Sequence, residues 1–409
     1  MLLSTYQQAF QILLDLWVRS VPFSVPLILG IILLLLWKWY VKFDYLSKMD
    51  WVLLEIRLPQ NIEKSPLAME TVIGALSQTY EGNWWNRLLR GILRVWFSLE
   101  LVSLNGNVHF FIRTIRLFKN LVQSQIYAQY PGVEINEAED YTMMVNYDDD
   151  KTLKLWASEL KLEKPDPYPI KTYVDYKLDQ GGAEETEKID PLTPTIEYLG
   201  SLSPGEQAWI QILVMATKNR RHKHGTLFGK SGWKEEGKEL AEKLMKRTGK
   251  GAVSPEGLLD FSKVTLSPGE REVVEAIERS VSKPGFDCGI RMIYLAPPDK
   301  YSLPNQLNLK NCFKQYNTLH LNGFKQLIDT TIDFPWQDPT GHRLRIRKRR
   351  LLKCYRARAQ FYHPHARHPF VLNTEELATI FHFPGSVATT PLIGRIPSKK
   401  GEPPPNLPI

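Results

Sequence analysis

Nine of the sixteen residues from Arg343 to Arg358 are cationic: Arg343, Arg345, Arg347, Lys348, Arg349, Arg350, Lys353, Arg356 and Arg358. Guanidinium groups offer planar forks of donors that match phosphate oxygens, so this density of charge with almost no acid nearby suits a polyanion. Tyr355, Phe361 and Tyr362 are interleaved or lie just beyond. These nine residues are the candidate nucleic-acid contacts. A charge run can also lie on anionic lipid, meet an acidic protein or simply face water, and the sequence leaves those alternatives open.

Two other patterns suggest chemistry and then miss its spacing. Gly225-Thr-Leu-Phe-Gly229-Lys230-Ser231 has the composition of a phosphate loop, but three residues stand where four are needed, and a basic stretch precedes it instead of a strand. It reads as a flexible basic loop. His363, His365 and His368 are interrupted by Pro364 and followed by Pro369, with His382 farther on, and no Cys or carboxylate falls at ligand spacing. No metal and no cofactor is expected. With no Gly-x-Ser-x-Gly, His-Glu-x-x-His or dinucleotide fingerprint, the expected role is non-enzymatic.

The basic run must be carried by a helix. Over Lys348–Ala359 the 3.6-residue period puts Leu351, Leu352, Tyr355 and Ala359 on one stripe and Arg349, Arg350, Lys353 and Arg356 on the other. Residues 300–409 hold 17 basic and 6 acidic side chains, a net of +11, against −3 for residues 1–299. Attraction to a polyanion therefore belongs to the C-terminal quarter.

At the other end, Val21–Trp37 is uncharged and strongly apolar, close to the ~20 residues needed to cross a bilayer. Trp37, Trp39 and Tyr40 suit the membrane interface. Lys38, Lys42 and Lys48 follow the run and only Arg19 flanks it on the other side, which places the body in the cytoplasm of a single-pass cell-membrane protein. Cys288, Cys312 and Cys354 are few, odd in number and widely spaced, as a reducing compartment allows.

Between these ends the expected fold class is α+β. Strand patterns at 51–58, 96–104, 108–114 and 133–137 alternate with helices beginning at Pro66 and near Ile115, and Asn105-Gly106 marks a hairpin. That order is the β-α-β-β-α-β of a ferredoxin-like module. A looser copy follows, with strands expected at Leu153–Leu162, Ile170–Leu178, Ala208–Thr217 and Gly289–Leu295 and helices at Pro194–Leu202 and after Ser267. Asn373-Thr-Glu-Glu376 has capping-box spacing. The expected organisation is an amphipathic segment over 1–20, a transmembrane helix over 21–41 and a ferredoxin-like module over 51–140. A second α+β module over 150–297 carries a basic insertion at 218–266; a basic C-terminal module over 298–384 and an extended Pro-rich tail over 385–409 complete the chain.

Several segments resemble bacterial membrane proteins that accompany, or are fused ahead of, conjugation-type ATPases of the type IV secretion and HerA-like class. They are WVLLEIRLP with SPLAMETV near the anchor, SPGEQAWIQILV in the middle, and FVLNTEELATIFHFPG with TPLIGRIPSKKGEPPPNLPI at the end. In the fused proteins a tail like Ser398–Pro408 leads into the ATPase domain. The resemblance implies a membrane-anchored accessory protein that docks a separate P-loop ATPase in a DNA or protein translocation apparatus. Membrane, ATPase and DNA are then its expected partners. An envelope scaffold that binds anionic lipid or protein without nucleic acid is the alternative.

Overall fold

The computed structural model describes residues 2–59, 64–179, 190–218, 221–222, 230–249, 267–332, 334–363 and 365–385. Most of the Gly225–Ser231 loop, much of the 218–266 insertion and the tail beyond Gly385 lie outside the described residues. The chain divides into two units, Met1–Asp50 with Tyr80–Arg94, and Trp51–Thr79 with Val95–Ile409.

In the first unit, α1 (Leu2–Ser47) runs unbroken for 46 residues through Pro22 and Pro26. The segments expected at 1–20 and 21–41 both lie on this one helix. Its Ser20–Ser47 stretch is long and apolar enough to span a membrane. After β1 (Trp51–Arg57) and α2 (Pro66–Ala75) of the second unit, the chain returns to the first as α3 (Trp84–Leu89).

The second unit continues with β2 (Phe97–Leu104), β3 (Asn107–Ile115), α4 (Lys119–Gln129) and β4 (Glu134–Ala138). Asn105 and Gly106 both take positive φ, 57° and 86°, the backbone that a two-residue hairpin turn demands. Next come β5 (Lys154–Leu162), α5 (Thr193–Gly200), β6 (Gln207–Ala216), the two-residue strands β7 (Arg221–His222) and β8 (Lys230–Ser231), α6 (Trp233–Gly249), α7 (Pro268–Ser282) and β9 (Gly285–Ala296). The described chain ends with α8 (Leu303–Asn311), β10 (Phe324–Asp329), α9 (His342–Arg356), β11 (Phe370–Asn373) and α10 (Thr374–Ile380).

One antiparallel sheet runs β10-β5-β9-β6-β2-β3-β1-β4, with β11 paired to β9. The order is palindromic. Outward from the central β2·β6 pair, each half places its second, third, first and fourth strands in the same succession, with β5, β6, β9 and β10 repeating β1, β2, β3 and β4. Where the first half has the Asn105-Gly106 turn, the second carries α6 and α7. Phe97–Leu104 pairs with Gln207–Val214, so two strands buried along nearly their whole length close each other's edge.

Two sequence expectations change. Ile170–Leu178 is a run of turns, not a strand: the Thr172 carbonyl accepts from Asp175 and Tyr176, and the Ile170 and Tyr173 amides donate to Glu376 and Thr379 side chains. The place beside β5 is taken by β10, so the sheet crosses the expected boundary at residue 297.

Alternation along the strands gives the sheet two apolar faces. On one, Val72 of α2, Ile126 of α4, Ile196 of α5, Leu309 of α8 and Leu377 of α10 pack with Leu54, Ile112, Ile210 and Met292. On the other, Leu351, Leu352 and Tyr355 of α9 pack with Leu53, Val102, Phe111, Trp209 and Ile293. The basic helix is therefore the cover of one sheet face.

Candidate anion-binding groove

α9 starts six residues before the expected Lys348. Gly341 takes φ 68°, and Asp338 Oδ2 accepts the Leu344 amide at 2.8 Å, placing a carboxylate where exposed helix N–H groups favour one. The extra turn brings Arg343 into the helix. Arg343, Arg347 and Arg350 then recur at i, i+4 and i+7 and share a face.

That face borders the edge strand β10. Arg343, Ile346, Arg347 and Arg350, together with Arg367 from the segment after α9, surround a hollow of about 430 Å³ with Leu327, Ile328 and Asp329. A second hollow of about 280 Å³, lined by Thr331, Gln337 and Asp338, shares Arg343 and Arg347 with the first. The two hollows adjoin at these shared arginines and are together termed the trough. Arg347 donates to the Asp329 carbonyl at 3.0 Å, which fixes the helix to the strand end.

Both acids of the trough are engaged. Asp329 accepts from the Trp156 indole at 2.7 Å and pairs with Lys310 at 3.0 Å, while Asp338 caps α9. Arg367 stands 3.5 Å from Glu159, which Arg291 already holds at 2.8 Å. Nearby, burial and then the charges of Lys353, Arg350, Arg291 and Arg367 hold the His365 imidazole below its ordinary value. The trough is thus a region of positive potential in which guanidinium donors outnumber acceptors, the arrangement that suits phosphate oxygens. Among the described residues no group of three or more His, Cys, Asp or Glu could hold a metal ion.

The nine cationic candidates have different fates. Arg343, Arg345, Arg347, Arg349, Arg350 and Lys353 are exposed, with Arg349 donating to the Asp148 carbonyl at 2.6 Å. Lys348 is buried against Asp150 at 2.6 Å, and the half-buried Arg356 donates to the Val145 carbonyl. Arg358 is 0 % exposed. Its guanidinium clamps Glu100 through bonds of 2.9 and 3.1 Å and also holds Asp140. Lys348 and Arg358 are therefore structural cations, corrected out of the nucleic-acid set, because each meets a carboxylate far away in sequence.

Glu100 also accepts from Ser98 at 2.6 Å, Tyr141 at 2.8 Å and Gln211 at 3.1 Å, and Tyr141 shares a hydrogen bond of 2.9 Å with Tyr355. Burial pushes the Glu100 carboxyl up, but Arg358 and these donors reverse the shift and hold it below the usual range. The network pins the end of α9 to the sheet. Phe361 and Tyr362 pack against Trp96. His382 is a core histidine, with Nδ1 to the Ala378 carbonyl at 2.9 Å and Nε2 to Asp190 at 3.1 Å.

Arg367 and β10 were missed at the level of sequence. Arg367 lies outside the Arg343–Arg358 run, inside the Pro-interrupted HPHARHP stretch, and Phe324-Lys-Gln-Leu-Ile-Asp329 is a short segment with little alternation. The family model described as Domain of unknown function (DUF8128) matches residues 94–394, about three quarters of the chain, and the chain belongs to that family. The match contains the whole trough and leaves out α1. No curated protein matches the chain.

Proposed function

We propose that this member of the DUF8128 family is a membrane-anchored, non-enzymatic protein whose α9 trough receives the phosphates of a nucleic acid backbone. One observation carries the reading: Arg343, Arg347, Arg350 and Arg367 line one hollow whose single carboxylate, Asp329, is paired with Lys310. Phosphate contacts position a polyanion without reading its bases, so little sequence preference is expected.

Other parts of the proposal have their own support. The apolar α1 supplies a single-span anchor, and the Lys38, Lys42 and Lys48 excess argues for a cytoplasmic body. Each half of the sheet is proposed to be a ferredoxin-like unit, on the strength of the repeated strand order and of the helices following its first and third strands. The segment likenesses given above favour an accessory role beside a separate P-loop ATPase in a type IV secretion or conjugation-like apparatus.

The test uses the full chain in vesicles of neutral lipid and fluorescein-labelled duplex DNA, with anisotropy read across a salt series. Each phosphate contact contributes about −0.9 to the slope of log K against log salt, so R343Q/R347Q/R350Q should flatten that slope by up to about 3 units. An unchanged slope would remove the trough from the DNA site. Binding to anionic vesicles, lost in the same variant and with no DNA binding in the parent, would favour the envelope scaffold.

A further inference from the structure

Besides α1, the first unit holds α3. α3 is only six residues long, yet Trp84, Trp85 and Leu89 are 57 %, 63 % and 56 % exposed, and the two indoles pack edge to face at 4.5 Å. Large exposed aromatics side by side on so short a helix ask for a cover.

Position within the unit says what covers them. The Trp37 indole, at the end of the apolar run, donates to the Leu88 carbonyl at 2.9 Å. One turn later, Gly91 takes φ 64° and lies so close to α1 that a Cβ would overlap the Val41 carbonyl. Both contacts hold α3 at the level of residues 37–41, where α1 passes from apolar to charged sequence. The same level carries Trp39 stacked on Phe43 at 5.8 Å, Tyr40 beside Trp37, and the cations Lys38 and Lys42. Trp and Tyr concentrate where hydrocarbon meets headgroups, and cations there meet lipid phosphates.

Resting on the reading of α1 as a membrane span, we infer that α3 is a second membrane element, lying in the interfacial zone of the bilayer with Trp84, Trp85 and Leu89 in lipid and Arg87 and Arg90 toward headgroups. It joins the Trp37–Phe43 aromatics in one belt, so the anchor grips the interface through two segments far apart in sequence. The Trp37–Leu88 bond and the close approach at Gly91 fix the depth of one against the other.

The experiment places an environment-sensitive NBD label on Trp85→Cys in the full chain, reconstituted in phosphatidylcholine/phosphatidylglycerol vesicles. Leu33→Cys serves as the deep reference, and the labelled parent corrects for native cysteines. The inference expects blue-shifted emission at position 85, quenched more by lipid spin-labelled near the headgroup than near the chain end, with the opposite preference at position 33. Water-like, unquenched emission at 85 with normal quenching at 33 would overturn the role of α3 and leave the span intact. Unquenched labels at both positions would overturn the span and the inference together.

Discussion

Replacing Arg358 by methionine separates the structural cations of α9 from those facing the trough. The substitution keeps most of the side-chain volume and leaves Glu100, which is 0 % exposed, without its counter-ion. Removing one partner of a buried pair costs about 3–5 kcal/mol, and the remaining donors from Ser98, Tyr141 and Gln211 put the expected loss near the lower figure, about 3 kcal/mol. That is a large share of a typical stability of about 5–15 kcal/mol. The pH dependence gives a second signature. In the parent the lowered Glu100 carboxyl contributes stability above the unfolded carboxyl value, lost as pH falls through the folded value. In the variant burial is opposed only by the Ser98, Tyr141 and Gln211 donors and outweighs them, raising that carboxyl, so the folded state takes up a proton first and gains stability as pH falls. The gap between parent and R358M should therefore narrow from pH 8 toward pH 5. Urea unfolding of the detergent-solubilised full chain, followed by tryptophan fluorescence, reads both effects; E100Q/R358M should recover part of the loss. The salt slope of DNA binding should stay at the parental value. A variant as stable as the parent whose salt slope drops by about one unit would refute the argument, since Arg358 would then be acting at the surface.

Filling the trough with phosphate offsets the charges of Arg350, Arg367 and Lys353, so the lowered His365 imidazole should titrate at higher pH when DNA is bound. An NMR titration of the ring protons checks this, and binding that leaves His365 unmoved would place the phosphate elsewhere. His382 behaves oppositely: burial lowers its imidazole, but Asp190 outweighs burial and raises it above 6.5. The ion pair is thus fully present below that value and is lost as pH rises through the folded value, so His382→Gln should cost about 1–3 kcal/mol near pH 6 and progressively less toward pH 9. Unfolding midpoints of parent and variant that stay equally far apart across that range would contradict the assignment.

Local signals carried much of this fold. The apolar run of α1, the Asn105-Gly106 turn, the helix start at Ser267 and the capping box at Asn373 each depend on residues a few positions apart, and all stand where the sequence puts them. The stripe of Leu351, Leu352 and Tyr355 is likewise legible, because helical period alone aligns it. Partners distant along the chain decided the rest. Ile170–Leu178 has the composition of a strand, but β10 occupies the edge of β5, and Glu376 and Thr379 take amides a sheet would have used. The nine cations look alike in sequence, yet Arg350 faces the trough while Arg358 is buried, because Glu100, 258 positions away, stands on the sheet beneath it. Charge content is written in composition. Whether a given charge meets water, a phosphate or a carboxylate is set by which side of a packed helix it leaves, and only the joining of two half-sheets along β2 and β6 gives α9 a face to lie on.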